Sequence, residues 1–423
     1  MTDLPGREND PNDNPFAMFG DREQMAAAMR QFADMLSAPA SGPVNWDMAK
    51  NIARHAVAAE GDPSVMEGER RQIVDALQLA DLWLNEVTTL PSGVNAPEAW
   101  SRSEWIEKTV PVWKQLCDPV AARMVETMGG TIGSAGLPEE AKAMAGPLMG
   151  MLKQMSGMMV GSQIGQALGT LAGEVVGSSD IGLPLSDNAA LLPGGVAKFS
   201  QGLDTPAEEI RLYLALREAA HQRLFHHVPW LRSRLYGAVE EYARGIVIDV
   251  SALEQQLGNL DITNPESLQE ALNGGALIKP QETEQQKAAL VRLEALLALV
   301  EGWVSTVVDD AATGKLPAAA ALSELVRRRR ATGGPAERTF ATLVGLELRP
   351  RRLREAASLW QALKADRGIE GRDAVWGHPD LMPTADDLDD PMGFVAGDAD
   401  LDISALDDDQ GGSSGGGDAA PSA

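Results

Sequence analysis

A mostly α-helical body is what the sequence predicts, and three observations carry the prediction. Apolar residues recur at three- and four-residue spacing, alternating runs of the strand type are few and short, and loops bearing Gly or Pro break the periodic segments. The periodicity predicts helices over about 22–37, 46–59, 67–87, 102–128, 138–177 with breaks, 206–227, 231–245, 282–312, 318–331 and 351–365. Leu90-Pro91-Ser92-Gly93 and Gly182-Leu183-Pro184-Leu185 are among the punctuating loops. Residues 1–20 and 396–423 are rich in Asp, Asn, Pro, Gly and Ser and poor in apolar residues, so they are expected to be disordered acidic tails flanking a body at 21–395.

The first four helices need little beyond their periodicity. The 102–128 segment carries Cys117 in Val112-Trp113-Lys114-Gln115-Leu116-Cys117, where it reads as a small core residue. As the one cysteine of the chain, it excludes an intramolecular disulfide and any multi-cysteine metal site. The 138–177 segment is more regular. Gly157, Gly161, Gly165, Gly169, Gly173 and Gly177 fall at every fourth position and form a stripe without side chains along one face. Ser162, Gln163, Gln166 and Glu174 interrupt the apolar run, so the stripe predicts close helix packing inside a water-soluble core, with Met151, Met155, Met158 and Met159 filling gaps, and not a membrane span.

The 206–227 helix has the sharpest start. Thr205 suits the N-cap, Pro206 the first turn and Glu208 the third position of a capping box, and Pro229 should end the helix near Val228. Within it, Arg217, Glu218 and His221 fall in little more than one turn and share a face. Two histidines one turn apart with an intervening glutamate, H-E-x-x-H, would bind zinc and polarise its water. Here the pattern is R-E-x-x-H, and a guanidinium has no lone pair to offer a metal. His226, about 140° further round, does not share the face of His221, and His226-His227 suit the negative end of the helix dipole as caps.

Late in the chain, Arg327-Arg328-Arg329-Arg330, Arg338, Arg349, Arg351, Arg352 and Arg354 face only Glu337 and Glu347. A polyanion patch is one reading and a solvated face another, and the Asp-rich tail folding back on the patch is a third. Lys and Arg number 36 against 61 Asp and Glu, a net charge of −25. Twelve Asp with no Lys, Arg or Glu lie between Trp376 and Ala423. That field disfavours nucleic acid and anionic membranes as partners. Glu67-Gly68-Glu69 and Asp309-Asp310 read as surface charge. No phosphate-binding loop, dinucleotide fingerprint or nucleophile elbow occurs, and the polar, acidic N-terminus does not resemble a signal peptide, so a cytoplasmic location is expected.

Several runs together carry a family resemblance. They are Gly165-Gln166-Ala167-Leu168-Gly169, Ser179-Asp180-Ile181-Gly182-Leu183-Pro184-Leu185, Arg217-Glu218-Ala219-Ala220-His221-Gln222-Arg223-Leu224-Phe225, Val300-Glu301-Gly302-Trp303-Val304 and Trp376-Gly377-His378-Pro379-Asp380-Leu381-Met382-Pro383-Thr384. The chain resembles a zincin-like family of mainly actinobacterial proteins described as hydrolases or zinc-dependent metalloproteases. The resemblance implies a multi-helix zincin-like fold, zinc as cofactor, Glu218 as general base, His221 as a metal ligand and Glu301 as the downstream acidic ligand. It does not supply the ligand lost at Arg217, for which His378 is the loop candidate. Two functions stay open: a metallohydrolase acting on a peptide or protein, and a catalytically silent zincin fold that binds a partner, with Arg217 paired to Glu218 or Glu301 in place of the metal. Substrate, partner and oligomeric state are not readable from the residues.

Overall fold

The computed structural model describes residues 42–134, 139–245, 247–248, 280–281, 283–331 and 352–397, and the side chains of 124–153, 155, 247–248, 280–281 and 331 are outside that description. The predicted 22–37 helix, the 1–20 tail, Arg338, Arg349, Arg351 and the tail beyond Gly397 all lie outside the described residues.

In chain order the helices are α1 (Trp46–Glu60), α2 (Glu67–Leu84), α3 (Arg102–Ser134), α4 (Glu139–Ala172), α5 (Pro193–Ser200), α6 (Ala207–His227), α7 (Pro229–Arg244), α8 (Glu284–Ala312), α9 (Ala319–Ala331), α10 (Leu353–Ala374) and α11 (Pro391–Gly397). The described residues also hold 3-10 turns at Val375–Gly377 and Pro379–Leu381 and four two-residue strands: β1 (Glu98–Ala99) pairs in parallel with β2 (Ala190–Leu191), and β3 (Val247–Ile248) pairs antiparallel with β4 (Pro280–Gln281). The fold is therefore mostly α, as the periodicity predicts.

Helix α6 organises the interior because almost every residue from Ile210 to Phe225 is buried, the polar ones included. A helix buried on all sides must satisfy its polar side chains internally. It packs against α2, α5, α7, α8 and α9. Arg223 clamps α6 to α2, donating from Nε (3.0 Å) and Nη2 (2.8 Å) to Asp81 Oδ1 and from Nη1 to the Leu90 carbonyl (2.7 Å). The Leu90–Gly93 loop then crosses so closely that a Cβ on Gly93 would stand 2.5 Å from the Gln222 carbonyl carbon.

The glycine stripe works as a packing surface. Cβ atoms placed on Gly161 and Gly165 would come within 2.6 Å of the Asn45 and Ala49 carbonyl oxygens, and one on Gly169 within 2.8 Å of the Ala56 Cβ, so α1 lies directly against these glycines. Of the methionines expected to fill gaps there, Met159 is instead exposed, and the side chains of Met151 and Met155 are outside the described residues. Gly302 serves the same purpose on α8, where an added Cβ would stand 2.7 Å from the Ala356 Cβ of α10.

Around Gly302, Trp303 donates to Asp373 Oδ1 (2.9 Å), Trp360 donates to the Leu299 carbonyl (2.8 Å), and Trp376 stacks on Trp360 with centroids 5.2 Å apart. This aromatic group accounts for the tryptophans of the two downstream runs as core. Cys117 is buried, where desolvation and the neighbouring Asp118 push its thiol pKa well up. Asp309 and Asp310 are corrected from surface charge: Asp310 pairs with Lys364 Nζ (2.8 Å), and Asp309 accepts from Ser323 Oγ (3.3 Å) with its carboxyl pKa raised, chiefly by burial.

Candidate functional site

The cap of α6 departs from the capping box. Pro206 itself is the N-cap, without a side-chain bond, and its carbonyl accepts from Glu209 and Ile210 N–H. Glu209 is drawn away to accept from Ala318 N–H (3.0 Å), which ties α6 to the start of α9.

More than two turns further in, Arg217 and His221 converge on Glu301 of α8. Arg217 Nη2 donates to Glu301 Oε2 at 2.6 Å, and His221 Nε2 lies 2.8 Å from Glu301 Oε1. His221 Nδ1 donates to the Arg217 carbonyl at 2.8 Å, which fixes the ring and leaves Nε2 as the nitrogen aimed at the carboxylate. All three residues are buried, at 5% exposure or below. A fourth member comes from the arginine run: Arg330 Nη2 lies 3.0 Å from Glu301 Oε1 and also donates to the Asp180 carbonyl. Gly182, at φ 76°, permits the approach of its loop, since a Cβ there would stand 3.2 Å from Glu301 Oε1.

Glu218 does not join this group. Its Oε1 accepts from Ser178 Oγ, from Gln222 Nε2 (3.2 Å) and from Ala190 N–H (3.3 Å). Its Oε2 accepts from Ser179 Oγ (2.7 Å) and Ser179 N–H (3.1 Å). A Cβ on Gly177 would stand 2.6 Å from that Oε2, so glycine is what lets the backbone close over it. The arrangement knits the 177–190 loop to α6.

The other histidines are elsewhere. His378 is exposed, with a side chain 63% accessible, and accepts at Nδ1 from Asp380 N–H (3.2 Å) as the cap of a 3-10 turn at Pro379–Leu381. His55 is exposed, His226 bonds to the Gln222 carbonyl (2.9 Å), and His227 bonds to the Ser92 carbonyl (2.9 Å). His226 and His227 thus both meet carbonyls close to the C-terminus of α6.

The profile of the zincin-like metallopeptidase family matches residues 44–395. The chain belongs to that family. It is also similar in fold to a protein of Chloroflexus aurantiacus provisionally described as a hydrolase with a novel fold: 21% identity, a TM-score of 0.60, and coverage of 84% of this chain and 99% of the other. No curated protein matches the chain.

Zincins as a family use zinc, so the residues must be tested against it. His221 Nε2 and Glu301 could supply two ligands, but the place of the third is taken by the Arg217 guanidinium, which is a donor only. Among the described residues no group of three or more His, Cys, Asp or Glu comes together as a metal site. These residues do not fit a three-ligand zinc centre, and His378, exposed on its own turn, does not complete one.

The charges around Glu301 set the electrostatics of this centre. Burial by itself would raise the Glu301 pKa. Arg330, then Arg217 and His221, reverse that and hold the carboxyl well below the usual carboxylate range. Burial likewise opposes the Arg217 charge, and Glu301 outweighs it, so the guanidinium pKa rises.

The linkage has a definite sign. The unfolded chain takes up the Glu301 proton near pH 4.3, at higher pH than the folded chain, so this stabilisation is full above about pH 5 and is lost as pH falls. The urea midpoint should therefore drop between about pH 5 and 2.5, and the drop should be shallower in Glu301→Gln, which has no carboxyl to titrate there. Equal slopes in the two proteins would remove Glu301 as a source of the acid sensitivity.

Sequence reasoning placed Arg330 in a surface or polyanion patch, because a charge run looks the same whether it faces water or a buried carboxylate. In the fold, Arg329 Nη2 donates to the Glu174 carbonyl (2.8 Å), Arg328 Nε to Glu324 (2.7 Å) and Arg327 Nη2 to Ser323 Oγ (3.1 Å). Ser178 and Ser179 were also missed as Glu218 partners, although Ser179 opens one of the runs that carry the family resemblance.

Proposed function

We propose that this zincin-like chain is a metal-independent binding or scaffold protein, in which the buried pair of Arg217 with Glu301 stands where other members of the family hold a metal. The observation that carries the reading is the 2.6 Å contact between Arg217 Nη2 and Glu301 Oε2, reinforced by Arg330 at 3.0 Å. Two guanidinium groups bring the same formal charge as a zinc ion and form strong hydrogen bonds to a carboxylate, but they cannot activate water as a Lewis acid. Glu218 supports the same reading because both its oxygens are engaged by serine, glutamine and backbone donors. The expected partner is a peptide or protein. Nucleic acid and membranes are disfavoured by a net charge of −25, and no helix among the described residues is long and apolar enough to cross a membrane. A cytoplasmic site of action fits the single cysteine.

Family membership itself favours a second reading, a zinc-dependent hydrolase with His221 and Glu301 on the metal and Glu218 as base. One measurement separates the two: metal content by mass spectrometry on protein purified without an affinity tag, beside its unfolding midpoint with and without chelator. Zinc at background and a midpoint unmoved by chelator are expected. About one zinc per chain, lost in His221→Ala, would overturn the metal-free reading and restore the hydrolase.

A further inference from the structure

Beside the Arg217–Glu301 pair lies a partly open cavity of about 40 Å³. Phe199 and Val326 are among its apolar lining residues, and Arg217, Arg329 and Arg330 bring three cations to it. Asp180 is the one acidic residue of the lining, and it is turned toward its own loop, with Oδ2 accepting from Val176 N–H at 3.1 Å and Oδ1 4.0 Å from Arg330. Glu301 has both oxygens engaged, by Arg217 on one and by His221 and Arg330 on the other.

All the contacts of Arg330 with the described residues run through Nη2. The Arg330 side chain is 11% accessible and lines the cavity. Arg329 is held in place by the Glu174 carbonyl and lies over the Phe199 ring at 5.7 Å.

We propose that this cavity binds a single carboxylate group, free or carried by an acidic side chain, between Arg217, Arg329 and Arg330. A guanidinium presents N–H donors in a plane that matches a carboxylate, and the apolar wall strengthens such contacts by keeping bulk water back. At roughly 10–15 Å³ of such volume per water, the space takes about three waters, which suits one carboxylate and excludes a nucleotide-sized anion. The inference deepens the metal-free reading and rests on it, because a zinc on His221 and Glu301 would displace Arg217 from its present place.

The test titrates ¹³C-formate and, separately, N-acetyl-aspartate amide into the full chain at constant ionic strength, following the ligand by NMR. Metal content is measured on the same sample. Saturable binding is expected, weakened at least tenfold by Arg330→Met and partly restored by Arg330→Lys, with circular dichroism verifying that each variant is folded. Tighter binding of the aspartate derivative would assign the site to an acidic side chain, and tighter binding of formate to a free anion. No saturable binding of either ligand to zinc-free wild-type protein overturns the carboxylate site and leaves the metal-free reading standing, whereas stoichiometric zinc in the sample overturns that reading on its own. Binding that is unchanged in a folded Arg330→Met also overturns the site.

Discussion

Replacing Arg217 by histidine, together with Arg330→Met, is expected to produce a chain that holds one zinc. The double substitution puts two imidazoles one turn apart on α6, about 40° from each other around its axis, facing Glu301. His221 already points Nε2 at Glu301 Oε1 over 2.8 Å, with its other nitrogen fixed by the Arg217 carbonyl, a contact that the backbone retains after substitution. Two imidazoles and a carboxylate with an open fourth position make a complete zinc site. Arg330 is the obstacle in the single variant, since its guanidinium stays 3.0 Å from the same carboxylate. Two unit charges 4 Å apart interact by about 4 kcal/mol at an effective dielectric of 20, so a dication beside Arg330 faces a penalty worth several powers of ten in affinity. Calorimetry with zinc should show no binding in the wild type, weak binding in Arg217→His and stoichiometric binding in the double variant, abolished by a further His221→Ala. A double variant that folds and stays free of zinc would mean that His221 and Glu301 are not placed to share a metal.

That contrast between local and distant partners also explains what the sequence could reveal. Helix α6 was legible almost to the residue at its end, because Pro229 and the periodic apolar residues act locally. The convergence of Arg217 and His221 on one face was legible for the same reason. Where Glu218 goes was not. On a helix it stands about 100° from Arg217, with His221 between them, so a modest rotation decides which neighbour each carboxylate or cation meets. In the fold the neighbour of Glu218 is the Ser178-Ser179 turn, and the neighbour of Arg217 is α8, 84 residues away along the chain. Arg330 is a harder case, because no local pattern tells a buried arginine from a solvated one. Helix α5 was missed since its eight residues, Pro193–Ser200, hold two glycines and too little periodicity. The helix predicted at 351–365 stops near the point where Gly368, at φ 73°, bends α10 before it continues to Ala374.

Glu218→Gln is expected to destabilise the fold by roughly 3–5 kcal/mol, because a carboxylate that accepts five hydrogen bonds is replaced by a group that accepts at one end only. Whichever way the amide is turned, its NH₂ faces donors. Toward the Oε2 position it meets the N–H and hydroxyl of Ser179, and toward the Oε1 position it meets Gln222 Nε2 and the Ala190 N–H. The hydroxyls of Ser178 and Ser179 can rotate, but the two backbone N–H groups cannot, and each buried donor left without an acceptor costs about 1–3 kcal/mol. Charge assistance is lost as well, since bonds to an ionised acceptor are the stronger kind. A general base behaves differently: its carboxylate must be free to take a proton, and its amide variant loses turnover while the fold stands. Urea unfolding of Glu218→Gln therefore discriminates between roles without any substrate in hand. A midpoint lowered by the amount expected makes Glu218 the clasp that holds the 177–190 loop on α6. A variant as stable as the wild type would return Glu218 to the list of groups available for chemistry and would count against the metal-free reading.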